Sequence, residues 1–228
     1  MEKKINLGNA PFTIAFSGGC FSGKTSTMQA LKSILEKEGY KVVIIDENIR
    51  KTEKAKKCSD SIDALRANPD SYFELQKEII QEKIKQENEA FNSKKPNVYL
   101  FDRALTDSLF YYEFYVDKSK LAHKDDYFNF HKWLIDNIFN SMYHLDLLVE
   151  FKPLLGIHTD DKMRPANLGI ASSSEFLAIH RNNVAFYNEL LRNANKGFLQ
   201  IDLNKIESNN CIEQIINKIQ KVCKLQKR

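Results

Sequence analysis

Between Ala15 and Leu31 the chain reads AFSGGCFSGKTSTMQAL, and this stretch restricts the fold more than any other. Gly18, Gly23, Lys24 and Thr25 stand in the order G-x-x-x-x-G-K-T, after an apolar run and before a run of helical pattern. Glycines at this spacing let successive backbone N–H groups turn toward an anion without Cβ clashes, and the helix that follows adds partial positive charge at its N-terminus. Such a loop needs a strand to deliver it and a helix to receive it. The Lys24 ammonium suits the β- and γ-phosphates of a nucleotide and the Thr25 hydroxyl suits Mg²⁺, with Gly19, Ser22 and Ser26 completing the loop. The stretch predicts binding of a nucleoside triphosphate, with Mg²⁺ at Thr25.

The rest of the chain supplies the elements this loop requires. Five short runs rich in β-branched and aromatic residues stand out: 12–18 (FTIAFSG), 41–47 (KVVIIDE), 97–103 (NVYLFDR), 144–151 (HLDLLVEF) and 197–203 (GFLQIDL). Their centres are nearly continuous apolar runs, as expected of parallel strands covered on both faces. Helical patterns fall between them, at 24–38, 71–92, 106–116, 126–143, 172–195 and 209–225. Gly39 is placed to end the first helix. Ser71-x-x-Glu74 and Ser172-x-x-Glu175 read as capping boxes opening two others. In the last, Ile212, Ile215, Ile216, Ile219, Val222 and Cys223 share a face. Strands alternating with helices predict right-handed crossovers and a three-layer α/β P-loop fold, with a five-stranded parallel sheet flanked by helices.

The length of 228 residues, 43% hydrophobic, suits one domain over 1–228 with a helical insertion at about 52–92 on the acceptor side. No run is long and apolar enough to span a membrane, and MEKKINLGNAPF lacks the apolar segment of a secretory signal. The four cysteines are scattered without C-x-x-C spacing, which predicts a reducing, cytoplasmic setting and no zinc site. A net charge of +4 suits anionic ligands, but it lacks the dense basic stripe of a nucleic-acid binder, so nucleic acid enters only as a substrate end.

Three constellations narrow the chemistry. The second strand ends IIDENIR, so Asp46, Glu47 and Arg50 stand where ligands bind in open α/β sheets. A carboxylate there, Glu47 more than Asp46, is placed to take a proton from a substrate hydroxyl, with Arg50 beside it. The third strand ends YLFDRALTDSLFYY, where Asp102 reads as a partner of Mg²⁺ through water. Arg103 reads as facing the acceptor, and Asp107 as orienting Arg103 or the substrate. After the fourth strand a polar segment of about twenty residues carries Asp160, Asp161, Lys162 and Arg164, with Arg181 on the next helix. Loops this long are often lids, here about 152–171, and an arginine closing over the triphosphate stabilises charge and excludes water. A GTPase reading fails, because Asn195-Lys196-Gly197-Phe198 lacks the guanine-reading aspartate and no DxxG follows the third strand. The chain is also short for a full AAA+ motor with its additional helical domain.

With these residues in place the chain resembles the P-loop kinase-like family that includes bacterial ribosylnicotinamide kinase domains, and more distantly thymidylate and deoxynucleoside kinases. The resemblance rests on Gly18-Gly19…Ser22-Gly23-Lys24-Thr25, Glu47…Arg50, Phe101-Asp102-Arg103…Asp107…Tyr111 and Asp161…Arg164, across residues 12 to 203. It implies that Lys24 and Thr25 serve ATP and Mg²⁺, Asp102 the metal, Glu47, Arg50 and Arg103 the acceptor, and Arg164 the lid. Cys20 and Phe21 are bulkier than usual loop fillers, and residues 52–92 match no acceptor pocket of the family. The leading expectation is an ATP- and Mg²⁺-dependent phosphotransferase acting on a nucleoside, nucleotide or related small ribosyl acceptor. The alternatives are a kinase of polynucleotide 5′-hydroxyls or modified DNA bases, and a nucleotide-binding switch without an acceptor. Most aromatics near the expected acceptor side (Tyr72, Phe73, Phe110, Tyr111, Tyr112, Phe114, Tyr115) read as core, with one or two expected against substrate.

Overall fold

Every apolar run becomes a strand of one parallel sheet. The computed structural model describes residues 7, 11–19, 22–46, 68–95, 97–114, 116, 118–153, 168–191 and 196–226. In chain order the elements are β1 (Phe12–Gly18), α1 (Lys24–Lys37), β2 (Lys41–Ile45), α2 (Pro69–Phe91), β3 (Asn97–Asp102), α3 (Leu105–Phe114), α4 (Lys124–His144), β4 (Leu147–Phe151), α5 (Leu168–Leu191), β5 (Gly197–Ile201) and α6 (Ser208–Gln226), with a 3₁₀ turn at Lys118–Lys120. The strand order is β2-β3-β1-β4-β5 and every pairing is parallel. The loop-bearing strand β1 therefore lies at the centre, flanked by β3 and β4. That places Phe16 beside Asp102 on one side and Ser17 beside Glu150 on the other.

The sheet is covered on both faces, which explains its continuous apolar strands. Ile14, Phe16, Leu100 and Val149 pack with Met28 and Leu31 of α1 and Ile215 and Ile219 of α6. Ala15, Phe101 and Leu148 pack on the other face with Tyr72 of α2, Leu105 and Tyr112 of α3 and Leu134 of α4. The face of α6 is as its pattern predicts, with Ile215, Ile219, Val222 and Cys223 buried. At about 25 cal/mol per Å² of apolar surface removed from water, these layers supply the main drive to fold.

Several boundaries move for physical reasons. α1 ends as predicted: Gly39 is left-handed at φ 92°, its N–H reaches the Glu36 carbonyl and the Tyr40 N–H reaches that of Leu35, both at 3.0 Å. α2 starts earlier than its expected capping box. Asn68 is the cap, its side chain accepting the Ser71 N–H at 3.1 Å, and Pro69 fills the first turn where its missing donor costs nothing. Ser71 is thus inside the helix. α5 likewise begins at Leu168, ahead of Ser172, so the second capping box is not a helix start. Among the described residues no helix is long and apolar enough to cross a membrane.

One glycine ties the loop to the sheet. Gly18 has φ 125°, and a Cβ built there would lie 2.4 Å from the Phe151 carbonyl oxygen of β4. Neither that conformation nor that approach admits a side chain. Gly18→Ala should lose about 2–4 kcal/mol of stability in urea unfolding, combining left-handed strain with backbone displacement.

Candidate active site

The loop after β1 is closed upon its own lysine. Gly23 adopts φ 86° and α1 begins at Lys24 without a side-chain cap, so its first N–H groups are not occupied by a capping side chain. Lys24 is buried, and its Nζ donates to the Gly18 carbonyl (2.9 Å), the Gly19 carbonyl (2.6 Å) and Ser22 Oγ (3.1 Å). Ser22 Oγ donates in turn to the Gly19 carbonyl at 2.9 Å. Cys20 and Phe21 lie outside the described residues.

Thr25 and Asp102 come together across the sheet edge. Thr25 Oγ1 donates to Asp102 Oδ2 at 3.5 Å, with Thr25 exposed and Asp102 half-buried. β3 alternation explains the placement: Val98 and Leu100 face α1, so Asp102 does too. Among the described residues no three His, Cys, Asp or Glu side chains gather to hold a metal. One hydroxyl and one carboxylate beside a phosphate loop are instead the donors Mg²⁺ takes while keeping waters and phosphate oxygens as its other ligands. The residues fit the ion. When bound there, Mg²⁺ would neutralise phosphate charge.

Arg103 turns the opposite way. Its φ of 75° is left-handed, the only such value at a non-glycine position among the described residues. Its N–H donates to the Phe16 carbonyl at 2.9 Å, and its Nη1 donates to the Gly18 carbonyl at 3.3 Å and lies 3.8 Å from Asp107 Oδ2. The guanidinium carbon sits 4.8 Å from the centre of the Tyr111 ring. Arg103 is 4% exposed, held beneath the loop.

Asp107 is wholly buried and holds the base of the loop. Its Oδ1 accepts from Ser17 Oγ at 2.5 Å and its Oδ2 accepts from the Gly18 N–H at 3.2 Å. Burial pushes its carboxyl up to about 7, against the opposing pull of Arg103, the Ser17 hydroxyl, Lys24 and the Gly18 N–H. Its observed partners are the loop and Arg103.

The sequence reading missed a polar layer behind this residue. Asn183 of α5, also wholly buried, donates to Ser17 Oγ (2.7 Å) and to Glu150 Oε1 (2.9 Å), and accepts from Thr106 Oγ1. Glu150 Oε2 accepts from Gln200 Nε2 at 2.9 Å and lies 2.6 Å from His180 Nδ1. The signal was present: Ser17, Glu150 and Gln200 are polar positions in apolar strands, at matching registers of β1, β4 and β5.

The other expected residues divide. Asp46 ends exposed after β2 and Arg181 is exposed on α5, while Glu47, Arg50, Asp160, Asp161, Lys162 and Arg164 lie outside the described residues. Tyr72, Phe73, Phe110 and Tyr112 are core, leaving half-buried Tyr111, beneath Arg103, as the aromatic at the site. The side chains of Phe114 and Tyr115 are outside the described residues.

A family model described as an AAA domain matches residues 13–176, from β1 into α5. The chain belongs to this AAA-domain family. Comparison with curated proteins finds no match. Among solved structures the fold is shared with a NadR protein in complex with NR, at 14% identity and TM-score 0.65, covering 93% of this chain and 52% of that one. A NadR protein in complex with NAD and AMP-PNP gives 13% identity and TM-score 0.62, with 92% and 49% covered. Deoxyadenosine kinase from M. mycoides with bound dATP gives 18% identity and TM-score 0.59, covering 90% of this chain and 98% of that one. This chain thus spans about half the length of the NadR chains. At such identities the likeness is one of fold, and the fold is the one the resemblance implied.

The raised Asp107 carboxyl carries a signed consequence. The folded state binds this proton more tightly than an unfolded chain whose aspartates titrate near 3.8, so the contribution of Asp107 to stability is greatest at low pH and is lost as pH rises from about 4 to about 7. The contribution approaches roughly 4 kcal/mol by the usual conversion. Thermal unfolding of wild type and Asp107→Asn across that window should show wild type losing more stability than the variant as pH rises.

Proposed function

We propose that this chain is an ATP- and Mg²⁺-dependent phosphotransferase acting on a nucleoside, nucleotide or related small ribosyl acceptor. The observation that carries the reading is the meeting, at one carboxyl edge of the sheet, of the Lys24 loop, the Thr25–Asp102 pair and the inward-turned Arg103. Structures of the same fold in complex with AMP-PNP, NR and dATP support it.

In this reading Gly18, Gly19, Ser22, Gly23, Lys24, Thr25 and Ser26 cradle the triphosphate, and Thr25 and Asp102 hold Mg²⁺. Lys24 exchanges its loop carbonyls for phosphate oxygens, a substitution of one set of acceptors for a more strongly charged one. Arg103 stays beside the Gly18 carbonyl and supplies positive charge on the acceptor side. Asp107 keeps Arg103 and the loop in register, a positioning role matching its burial. Glu47 and Arg50 bind the acceptor, Glu47 taking the hydroxyl proton, and Arg164 stabilises charge on the transferring phosphoryl group. Catalysis is then positioning and charge stabilisation without a covalent intermediate. The domain acts as one unit over 1–228, cytoplasmic, with 52–92 on the acceptor side.

γ-Phosphate transfer from labelled ATP to nucleosides, nucleoside monophosphates, nicotinamide riboside and a 5′-hydroxyl oligonucleotide tests this. A labelled product is expected with wild type, lowered by at least about a hundredfold in Lys24→Ala. Asp102→Asn should raise the Mg²⁺ concentration needed for half-maximal transfer by about tenfold or more while leaving the fold intact. ATP binding with no labelled acceptor would move the chain to the class of nucleotide-binding switches.

A further inference from the structure

Helix α2 holds a buried charge cluster with no part in the chemistry described so far. Lys83 is 5% exposed, and its Nζ lies 3.2 Å from Glu87 Oε1, itself on a residue 2% exposed. Glu87 Oε2 accepts from Ser141 Oγ of α4 at 2.6 Å. Lys83 also stands over the Phe101 ring, 5.8 Å from its centre. Burying both charges carries a desolvation cost that methionine and leucine at the same positions would avoid. Simple packing of α2 therefore does not account for them.

What the lysine does is visible at its tip. Nζ donates to the carbonyl of Arg103 at 2.7 Å. Arg103 is the left-handed residue between β3 and α3, and left-handed backbone is disfavoured for any residue with a Cβ. The turn is gripped at both ends: its N–H by the Phe16 carbonyl of β1, its carbonyl by Lys83 of α2. It follows directly on the alternation of β3, which sends the two adjacent side chains to opposite sides. Asp102 goes toward Thr25, and Arg103 goes beneath the loop to the Gly18 carbonyl.

We infer that Lys83 is a positioning residue for the candidate active site. It holds the left-handed turn at Arg103 and thereby the placement of the guanidinium against the phosphate loop, with Glu87, itself held by the Ser141 hydroxyl, balancing its charge. It reaches the loop only through Arg103. The claim about function rests on the phosphotransferase reading, whereas the claim about the turn stands independently of it.

Removing Lys83 alone would leave Glu87 buried without its cation, so the informative variant removes both charges together: Lys83→Met/Glu87→Leu. Amide hydrogen exchange is read in a fragment covering residues 100–108, with binding of a fluorescent N-methylanthraniloyl ATP and Mg²⁺ alongside. The double variant should exchange at least about tenfold faster through residues 103–107, with exchange elsewhere in the sheet unchanged. Affinity for the ATP analogue should stay within about twofold, while kcat for transfer falls at least about tenfold. In an Arg103→Gly background, where glycine accepts the turn without strain, the same double change should accelerate exchange by no more than about twofold. Unchanged protection at 103–107, or loss of protection and analogue affinity throughout the molecule, would overturn the proposal. A wild-type protein that transfers no phosphate would overturn the functional claim alone, leaving exchange to decide the turn.

Discussion

The peptide group of Gly18 is the point on which the site depends. Its N–H is taken by the buried Asp107 carboxyl, its carbonyl accepts from both Lys24 and Arg103, and its α-carbon lies where the Phe151 carbonyl leaves no room for a side chain. Two cations on one carbonyl would repel one another in a dry interior. Asp107, close to both, supplies the compensating charge or dipole, and this is why a wholly buried acid is found where an apolar residue would pack more cheaply.

The demand propagates outward. A buried carboxyl requires donors, and Ser17 provides one; Ser17 then needs a donor of its own, which Asn183 supplies from α5. Asn183 brings Glu150 into the same layer, and Glu150 draws in Gln200 and His180. The loop is thereby linked through hydrogen bonds to β4, β5 and α5. Such a network specifies one arrangement when every member is satisfied and costs stability when one is lost. Lys83 and Glu87 follow the same logic at the turn of Arg103, so that α2 as well as α5 is tied to the site through buried polar groups.

The division of faces by strand alternation gives the site its two sides. At the end of β3, Asp102 continues the face covered by α1 and meets Thr25. The left-handed Arg103 then carries the chain onto the face covered by α2 and α3. The carboxylate beside Thr25 and the arginine beneath the loop thus come from consecutive residues. Tyr111, two turns along α3 from the loop, provides the aromatic floor for that arginine.

Much of this was legible in order along the chain. The G-x-x-x-x-G-K-T stretch, the five apolar runs and the amphipathic last helix each express local backbone chemistry or periodicity, which a single segment carries by itself; the five strands and the Gly39 helix end appear where those patterns put them. The capping boxes did not, because Asn68 with Pro69 offers a cap earlier in the chain, and α5 starts before Ser172. What only the tertiary structure decided is which distant polar residues meet. Asp107 beneath Gly18, Asn183 between Ser17 and Glu150, and Lys83 on the Arg103 carbonyl join residues up to 166 positions apart. No periodicity encodes such pairings. They arise because the strand order brings β4 and β3 to either side of β1, and because a buried polar group must find its partner wherever the packing has placed one.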